Sequence, residues 1–364
     1  MSDFIVSARK YRPTTWESVV GQKSITETLS NAIRSNQLAH AYLFCGPRGV
    51  GKTTCARIFA KTINVDNGEE LDEHSFNVFE LDAASNNSVD DIRQLTDQVR
   101  IPPQKGKYKV YIIDEVHMLS SNAFNAFLKT LEEPPAHAIF ILATTEKHKI
   151  IPTILSRCQI FDFNRIQIRD IANHLSSIAK KEEIKADPES LTVIAQKADG
   201  ALRDALSMFD QLVSFTGKNL TYSAVLENLN ILDYDYYFKI TTHLIENHIH
   251  TALLVFDEVL SKGFDGRHFV NGLSAHFRDL LVCKDKTTVQ LLDTSEEVKK
   301  LYEAQSTKTT DQFLFKGIAL LNKTDIDFKA SRNQRLLVEL ALMQLCSITA
   351  VDEKKKSRTT ISTS

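Results

Sequence analysis

The 364-residue sequence has few cysteines, and they form no recognisable metal-binding or disulfide pattern. The five are scattered, and no two show Cys-x-x-Cys spacing; they are Cys45, Cys55, Cys158, Cys283 and Cys346. This distribution argues against a zinc module and against a disulfide framework. We expect reduced, mostly buried thiols and a cytoplasmic location.

The sequence also lacks long apolar runs and an excess of charge of either sign. No run is long enough to cross a bilayer, and the N-terminus lacks the pattern of a signal peptide, so we predict no membrane association. The formal net charge of −2 gives no indication of nucleic-acid binding, which would have to use a local surface. The length is sufficient for two or three domains.

One segment is typical of phosphate binding, because Gly46 to Thr53 matches G-x-x-x-x-G-K-[ST] at every fixed position. An apolar stretch before it (41–45) predicts a buried strand, and the residues after it (54–60) predict a helix. In this context backbone N–H groups point at an anion, Lys52 reaches the β- and γ-phosphates, and the Thr53 hydroxyl ligates Mg²⁺. The alternative is a glycine-rich turn that matches by chance. The predicted nucleotide contacts are Gly46, Pro47, Arg48, Gly49, Val50, Gly51, Lys52, Thr53 and Thr54.

A second apolar run (110–113) ends in two acids, Asp114 and Glu115. A parallel strand is buried on both faces, so an acid is expected only where the strand leaves the sheet, and that exit lies beside the phosphate loop. The pattern predicts that Asp114 holds Mg²⁺ and that Glu115 activates the attacking water. The alternative is that both acids only cap the following helix.

Three further features remain ambiguous from the residues alone. The basic, aromatic segment 8–13 is either a solvated arm or part of a nucleotide pocket. A strand predicted over 138–144 ends at Thr144 and Thr145, where a hydroxyl either contacts the γ-phosphate or the attacking water, or only terminates the strand. Arg157 follows a short helix and is, by itself, typical of a surface charge.

Hydrophobic periodicity predicts one more strand over 76–82 and helices over 89–99 and 122–131. From Asp170 onward the pattern is helical, with no further run of core strands. Two apolar stripes stand out in the C-terminal part: Phe269, Leu273, Phe277 and Leu281, and then Leu336, Leu340 and Met343. They predict a bundle core and leave open whether one face serves subunit contact. The polar tail 352–364 predicts disorder.

Several short segments, taken together, resemble one family. Besides the phosphate loop they are Asp-Glu-Val-His-Met-Leu (114–119), Lys-Thr-Leu-Glu-Glu-Pro-Pro (129–135), Ser-Arg-Cys (156–158) and Gly-Ala-Leu-Arg-Asp-Ala-Leu (200–206). With the N-terminal segments 8–13 and 19–22, they resemble the gamma/tau subunits of bacterial DNA polymerase III, the ATPases of the sliding-clamp loader. The likeness is close up to about residue 215 and loose beyond it.

The resemblance implies an AAA+ fold: a P-loop α/β domain with a parallel sheet (1–165), a helical lid (166–228), an all-α collar that assembles subunits (229–351), and the tail. It implies ATP and Mg²⁺ as cofactors, and ATP hydrolysis coupled to loading of the sliding clamp on primed DNA. The implied partners are other loader subunits in a hetero-oligomeric ring, the clamp, and the DNA phosphate backbone. No polymerase active site is expected in the chain.

The resemblance also assigns roles to individual residues. Arg157 is implied to be an arginine finger that reaches the ATP of a neighbouring subunit, which replaces its interpretation as a surface charge. Thr145 and Arg203 are implied to sense the γ-phosphate from the core and the lid. The implied lining of the adenine pocket is Arg9, Tyr11, Arg12, Pro13, Val19 and Val20.

DNA contacts in this family come from helix N-termini that face a central chamber, and Arg93, Lys129 and Thr153 match those positions. They would touch phosphates and not bases, so binding should be salt-sensitive and independent of sequence.

The chain departs from the family between the loop helix and the second strand. Members usually carry a four-cysteine zinc module there, whereas residues 64–74 are short and contain no cysteine. We interpret His74 and its acidic neighbours as a solvated loop and predict no zinc. The alternatives for function are another AAA+ DNA motor of the branch-migration type and a non-hydrolysing structural subunit of the loader. Retention of Lys52, Thr53, Asp114 and Glu115 argues against the structural subunit.

Overall fold

The computed structural model describes residues 5–64, 77–103, 106–229, 231–292, 294 and 296–360. The predicted solvated loop around His74 lies outside these residues. The chain divides into two compact units, Met1–Leu220 and Thr221–Ser364, here called the N-terminal and C-terminal units. This division falls before the lid–collar boundary predicted after residue 228.

The N-terminal unit contains a five-stranded, wholly parallel sheet with the order β2-β3-β4-β1-β5. Its strands are β1 (Ala41–Cys45), β2 (Val78–Asp82), β3 (Lys109–Asp114), β4 (Ala138–Thr144) and β5 (Gln159–Asp162). Four of these strands are predicted by the sequence and are confirmed. The prediction misses β5, because only Phe161 is buried there and its neighbours are exposed.

Helices cover both faces of the sheet, which explains why its central strands are apolar throughout. In chain order they are α1 (Ser7–Lys10), α2 (Lys23–Arg34), α3 (Lys52–Asn64), α4 (Val89–Val99), α5 (Ser121–Glu132) and α6 (Pro152–Leu155). Side chains of α2 and α3 pack against one face and those of α4, α5 and α6 against the other. Ser88 caps α4, because its side chain accepts a hydrogen bond from the Asp91 backbone N–H.

A smaller, mainly helical part completes the N-terminal unit. It comprises α7 (Ile168–Lys181), β6 (Lys185–Ala186), α8 (Pro188–Lys197), α9 (Leu202–Thr216) and β7 (Asn219–Leu220). The strands β6 and β7 pair over two residues only, so they are not core strands. The apolar faces of α7 and α8, including Leu175, Ile178, Leu191 and Ile194, are buried.

Among the residues that the structure describes, the C-terminal unit contains helices and loops and no strand. Its helices are α10 (Tyr222–Asn228), α11 (Tyr234–Ile245), α12 (Ile249–Ser261), α13 (Gly266–Val282), α14 (Glu296–Ser306), α15 (Asp311–Phe328) and α16 (Gln334–Thr360). The predicted core stripe of α13 is confirmed by the burial of Phe269, Leu273 and Phe277. None of the helices described in the chain is long and apolar enough to span a bilayer.

The core stripe predicted for α16 is wrong. Leu336 and Leu340 are each 46% exposed, and the helix instead buries Val338, Leu342 and Leu345. Both sets have helical spacing in a segment that is apolar at most positions, so the period alone does not choose between them. Helical backbone continues to Thr360, and the disorder of the tail 352–364 stays a prediction. Lysine and glutamate in this stretch have high helix propensity, which the compositional argument does not weigh.

Candidate nucleotide-binding site

The phosphate loop leaves the sheet at the end of β1 and leads directly into α3. Gly46 has φ 146° and Gly51 has φ 104°, values that L side chains rarely adopt. A Cβ at Gly46 would lie 2.3 Å from the carbonyl oxygen of Phe163, the residue after β5, so the loop can pass this close only with glycine. The turn therefore gives the loop its path around the N-terminus of α3, where backbone N–H groups are available to an anion.

Lys52 is buried at the base of this loop. Its Nζ donates hydrogen bonds to the carbonyl oxygens of Gly46 and Pro47, each at 2.7 Å. Burial lowers the pKa of this ammonium group, and the nearby carboxylates of Glu115 and Asp114 oppose the shift. The loop thus holds a cation against its own backbone, in a position from which it can turn to phosphate oxygens.

Asp114 closes β3 beside the loop, because β3 and β1 both pair with β4 in the sheet. The Thr53 hydroxyl donates to Asp114 Oδ2 at 2.7 Å, and the Glu115 backbone N–H donates to Asp114 Oδ1 at 3.0 Å. A hydroxyl and a carboxylate at this separation are oxygen donors of the kind that Mg²⁺ prefers. The two residues predicted to hold Mg²⁺ therefore lie together.

Glu115 stands next to Asp114 in a left-handed backbone conformation, with φ 47° and ψ 43°. This conformation is uncommon for glutamate and turns the chain sharply after the strand. The Thr145 hydroxyl donates a hydrogen bond to Glu115 Oε2 at 3.0 Å. The predicted base and the predicted γ-phosphate sensor are thus in direct contact, on the ends of β3 and β4.

Sequence reasoning assigned no role to His117, which lies two residues after Glu115. Its side chain is only 6% exposed, with Nδ1 3.0 Å from Thr144 Oγ1 and 3.4 Å from Glu115 Oε2. Its Nε2 lies 3.5 Å from Glu146 Oε1. The only signal in the sequence is the position of the histidine in the turn that follows the acids. The imidazole thus lies between side chains at the ends of β3 and β4.

A cleft in the N-terminal unit gathers most of the predicted nucleotide contacts. It is lined by loop residues, by both acids, by the N-terminal segment and by the start of α9: Tyr11, Arg12, Pro13, Val19, Val20, Arg48, Gly49, Val50, Gly51, Lys52, Thr53, Thr54, Asp114, Glu115, Leu202, Arg203 and Leu206, with Ala8 and Ile166. Arg9 is exposed and does not belong to this lining, so its place in the adenine pocket stays a prediction. It lies on α1, whose buried residue is Ser7.

The N-terminal segment connects the cleft to the helical part of the same unit. The Ser7 backbone N–H donates to Asp210 Oδ2 on α9 at 2.7 Å, and Lys10 and Tyr11 both contact the Glu182 carboxylate. Burial and this carboxylate raise the pKa of Tyr11. Arg203 enters the cleft from α9, and its backbone N–H points to the Gly49 carbonyl at 3.4 Å. Side chains from both parts therefore surround one cavity.

Arg157 lies away from the cleft lining of its own chain. Its Nη2 forms an ion pair with Glu132 Oε1 at 2.7 Å, and its Nη1 donates to the Thr153 carbonyl at 2.7 Å. The guanidinium is partly exposed and held at the end of α6. Its hydrogen-bond partners are thus Glu132 and the Thr153 carbonyl, and not groups of the cleft.

The three predicted DNA-contacting residues are exposed on α4, α5 and α6. Arg93 pairs with Asp90 on its own helix at 3.3 Å, and Thr153 lies in the first turn of α6. Lys129 is in the last turn of α5, so its assignment to a helix N-terminus is wrong. Its sequence neighbourhood resembles the family, but the register of the helix is visible only in the structure.

Comparison with protein families identifies both parts of the N-terminal unit. The family described as DNA polymerase III, delta subunit, matches residues 21–167. The family described as DNA polymerase III clamp loader subunit, ATPase lid domain, matches residues 170–218.

Among solved structures, the Holliday junction branch migration motor RuvB of Thermotoga maritima aligns with a TM-score of 0.50 at 17% identity, over 70% of this chain and 86% of that one. A likeness at this identity shows the fold alone. The fold is that of the AAA+ P-loop ATPases, with a lid and a C-terminal helical region.

Curated relatives match nearly the whole chain. DNA polymerase III subunit tau of Bacillus subtilis is 42% identical over 351 residues, which cover 93% of this chain and 62% of the relative. DNA polymerase III subunit gamma of Buchnera aphidicola (subsp. Baizongia pistaciae) is 33% identical over 365 residues, which cover 95% of this chain and 98% of the relative. The chain thus spans less than two thirds of the tau relative and nearly all of the gamma relative. It belongs to the gamma/tau family of DNA polymerase III subunits.

Proposed function

We propose that this chain is the ATP-hydrolysing subunit of a clamp loader, and that it couples ATP binding and hydrolysis to placing a sliding clamp on primed DNA. The observation that carries the proposal is the convergence of a phosphate loop, two acids and a hydroxyl at the ends of β1, β3 and β4. Each of these groups has a defined task in phosphoryl transfer to water. No bond in DNA is made or broken by this chain.

The loop and Lys52 bind the phosphates in this proposal. The γ-phosphate would take the Lys52 ammonium from the carbonyls of Gly46 and Pro47, which are weaker partners than a phosphate oxygen. Thr53 and Asp114 would hold Mg²⁺, which when bound neutralises charge on the β- and γ-phosphates. The cleft residues Tyr11, Pro13 and Val19 would contact the adenosine part.

Glu115 accepts the proton of the attacking water, and Thr145 controls when it does so. The Thr145 hydroxyl has one hydrogen to donate, which it gives to Glu115 Oε2. A γ-phosphate oxygen within reach of Thr145 competes for that hydrogen. When Thr145 turns to the phosphate, Glu115 loses a donor and becomes a better acceptor for the water proton. The base is thereby activated only when the triphosphate is in place.

Arg157 acts on the site of a neighbouring subunit in this account. A cation that arrives from another chain stabilises charge on the transferred phosphoryl group and makes hydrolysis depend on assembly. The exposed Arg93, Lys129 and Thr153 would contact DNA phosphates, and the C-terminal unit would assemble the ring with other loader subunits. Leu336 and Leu340 are exposed apolar side chains in that unit, as expected for a surface that a neighbour covers.

The test is ATP hydrolysis by the chain assembled with its partner subunits, with and without clamp and primed DNA. We expect clamp and DNA to stimulate hydrolysis, and Arg157→Ala to lower the stimulated rate by at least about 10³-fold while ATP still binds. The matched control is Arg57→Ala, which removes another arginine whose side chain is partly exposed and paired with a carboxylate, Glu80.

Two results would overturn the proposal. A rate that partners, clamp and DNA do not change indicates an ATPase with another task, and processive unwinding of DNA would identify a branch-migration motor. Equal effects of Arg157→Ala and Arg57→Ala would show that Arg157 is an ordinary surface charge.

A further inference from the structure

The turn between α11 and α12 brings three potential metal ligands together. Helix α11 ends in a left-handed residue, Asn247 with φ 58°. The His248 backbone N–H donates to the His243 carbonyl at 2.9 Å, and the Asn247 N–H points to the Leu244 carbonyl at 3.4 Å. These two bonds define a Schellman motif, in which His243 and His248 occupy the two positions whose side chains meet.

Those two positions usually carry apolar side chains that contact each other. Here both are histidine, and Glu246 stands between them at the helix C-cap. One nitrogen of each histidine and a carboxylate oxygen of Glu246 all lie within 4.8 Å of one another. His248 Nδ1 and Glu246 Oε2 are already 3.2 Å apart. The turn therefore carries two imidazoles and a carboxylate where an apolar contact is usual, and their potential ligand atoms lie close together.

The environment of His243 supplies an independent observation. Its Nδ1 is shielded from solvent and, within the described residues, has no hydrogen-bond partner. A buried polar atom without a partner is destabilising, and native structures rarely leave one unsatisfied. Glu246 and His248 are exposed, and backbone hydrogen bonds hold the turn between them.

We propose that His243, Glu246 and His248 bind a divalent transition-metal ion, best matched by Zn²⁺. Two imidazoles and one carboxylate form a donor set that suits zinc, and water would fill the fourth position. Ligand atoms around tetrahedral zinc are about 3.3 Å apart, so only small side-chain movements separate the observed arrangement from a closed site. The carbonyl oxygens at the C-terminus of α11 favour a cation here.

Such a site joins the end of α11 to the start of α12 and stabilises the C-terminal unit, and none of its three residues belongs to the lining of the nucleotide cleft. It does not depend on the proposed function. The prediction of no zinc rests on the missing cysteines between α3 and β2, and it does not extend to a site made of histidine and glutamate in another part of the chain.

The experiment measures Zn²⁺ binding to the metal-stripped full chain by calorimetry, and thermal unfolding with and without Zn²⁺. We expect one site and a rise in the melting temperature of about 5 °C at saturating Zn²⁺. His248→Asn and Glu246→Gln should each weaken binding at least about tenfold and remove the shift. Their side chains are exposed, so both variants should fold. His250→Asn, an exposed histidine two residues away, is the control and should bind as the parent does.

Co²⁺ gives a second readout, because a tetrahedral site with two imidazoles produces visible absorption bands that the two variants should lack. Absence of Zn²⁺ binding to the parent overturns the proposal and leaves an exposed His–Glu ion pair. Binding that survives both substitutions, or that His250→Asn weakens equally, overturns it as well, because the ion then lies elsewhere.

Discussion

The two units of the chain bury polar groups in opposite ways. In the N-terminal unit, Lys52, Thr53 and Glu115 contact partners at the edge of an open cleft, where a ligand can replace those partners. In the C-terminal unit, the buried side chains of His276 and Gln305 hydrogen-bond to each other inside a helical core. The first arrangement is suited to chemistry and the second to architecture.

The polar group at the centre of the C-terminal unit is His276. Gln305 donates through Nε2 to the Phe238 carbonyl and to Thr242 Oγ1, which leaves its Oε1 to accept from His276 Nε2 at 2.9 Å. His276 Nδ1 then accepts from the Tyr302 hydroxyl at 3.1 Å. This network fixes a neutral imidazole, and burial lowers its pKa to about 4. Burial alone therefore does not mark a functional group. In the cleft, the polar groups have hydrogen-bond partners that a ligand can replace.

The largest effect should come from Lys52→Ala. Without the ammonium, phosphate charge is no longer neutralised, and we expect hydrolysis to fall by about 10³-fold. Because Lys52 is a buried charge with a lowered pKa, its removal should leave the melting temperature of the nucleotide-free chain unchanged or higher. ATPase assays and thermal unfolding check both parts. A large loss of stability would mean that Lys52 is structural, like the groups of the C-terminal unit.

Substitution of two loop glycines by alanine distinguishes a steric clash of the added Cβ from the strain of a positive φ. Gly46→Ala places Cβ 2.3 Å from the Phe163 carbonyl oxygen and should destabilise the N-terminal unit by about 3 kcal/mol or more. Gly51→Ala meets no atom within 4 Å, so only the strain of φ 104° remains, about 1–2 kcal/mol. Urea unfolding followed by the single tryptophan, Trp16, reports on this unit. Equal losses would contradict the steric account.

The hydrogen-bond network around His276 predicts that the stability of the C-terminal unit depends on pH. Between pH 6.5 and about 4 the unfolded chain protonates His276 and the folded chain does not, so stability falls as the pH falls through this window. The loss attributable to His276 is about 3 kcal/mol. Hydrogen exchange of α13 amides across this range should show the loss in the parent and a flatter profile in His276→Asn. Identical profiles would show that the imidazole titrates normally.

The smallest effect concerns helix packing in the same unit. Gly317→Ala improves the helix propensity of α15 by about 1 kcal/mol but places Cβ 2.4 Å from Phe277, in the core. We expect a net destabilisation of about 1 kcal/mol. Lys316→Ala, at an exposed position beside it, should be close to neutral. A stabilising Gly317→Ala would show that the helical core relaxes more easily than the cleft.

The sequence predicted the cleft better than the rest of the molecule. The phosphate loop and the acids at 114 and 115 follow from motifs whose spacing reflects one mechanism, and the structure brings them together. The contacts of His117 were not predicted, because a single histidine carries no spacing signal. Its contacts with Thr144 and Glu115 exist only after β3 and β4 pair. Strand β5 was not predicted, because an edge strand with one buried residue has no apolar run.

The C-terminal unit shows why hydrophobic periodicity alone does not predict which face of a helix is buried. On α16, the stripe with Leu336 and Leu340 and the stripe with Val338 and Leu342 fit the same period, and only packing against other helices chooses the second. Similarly, His243 and His248 are five positions apart, a spacing that brings no two residues together on a regular helix. They meet because Asn247 adopts a left-handed conformation and reverses the chain.

The central claim is that the cleft hydrolyses ATP with an arginine from the next subunit. The most direct test mixes two inactive chains, Lys52→Ala and Arg157→Ala, before assembly with partner subunits, clamp and primed DNA. A Lys52→Ala subunit still offers Arg157 to the intact cleft of an Arg157→Ala neighbour. Random mixing restores roughly a quarter of the interfaces, so we predict that hydrolysis reappears at a comparable fraction of the parent rate. A mixture no more active than either variant alone would contradict the account.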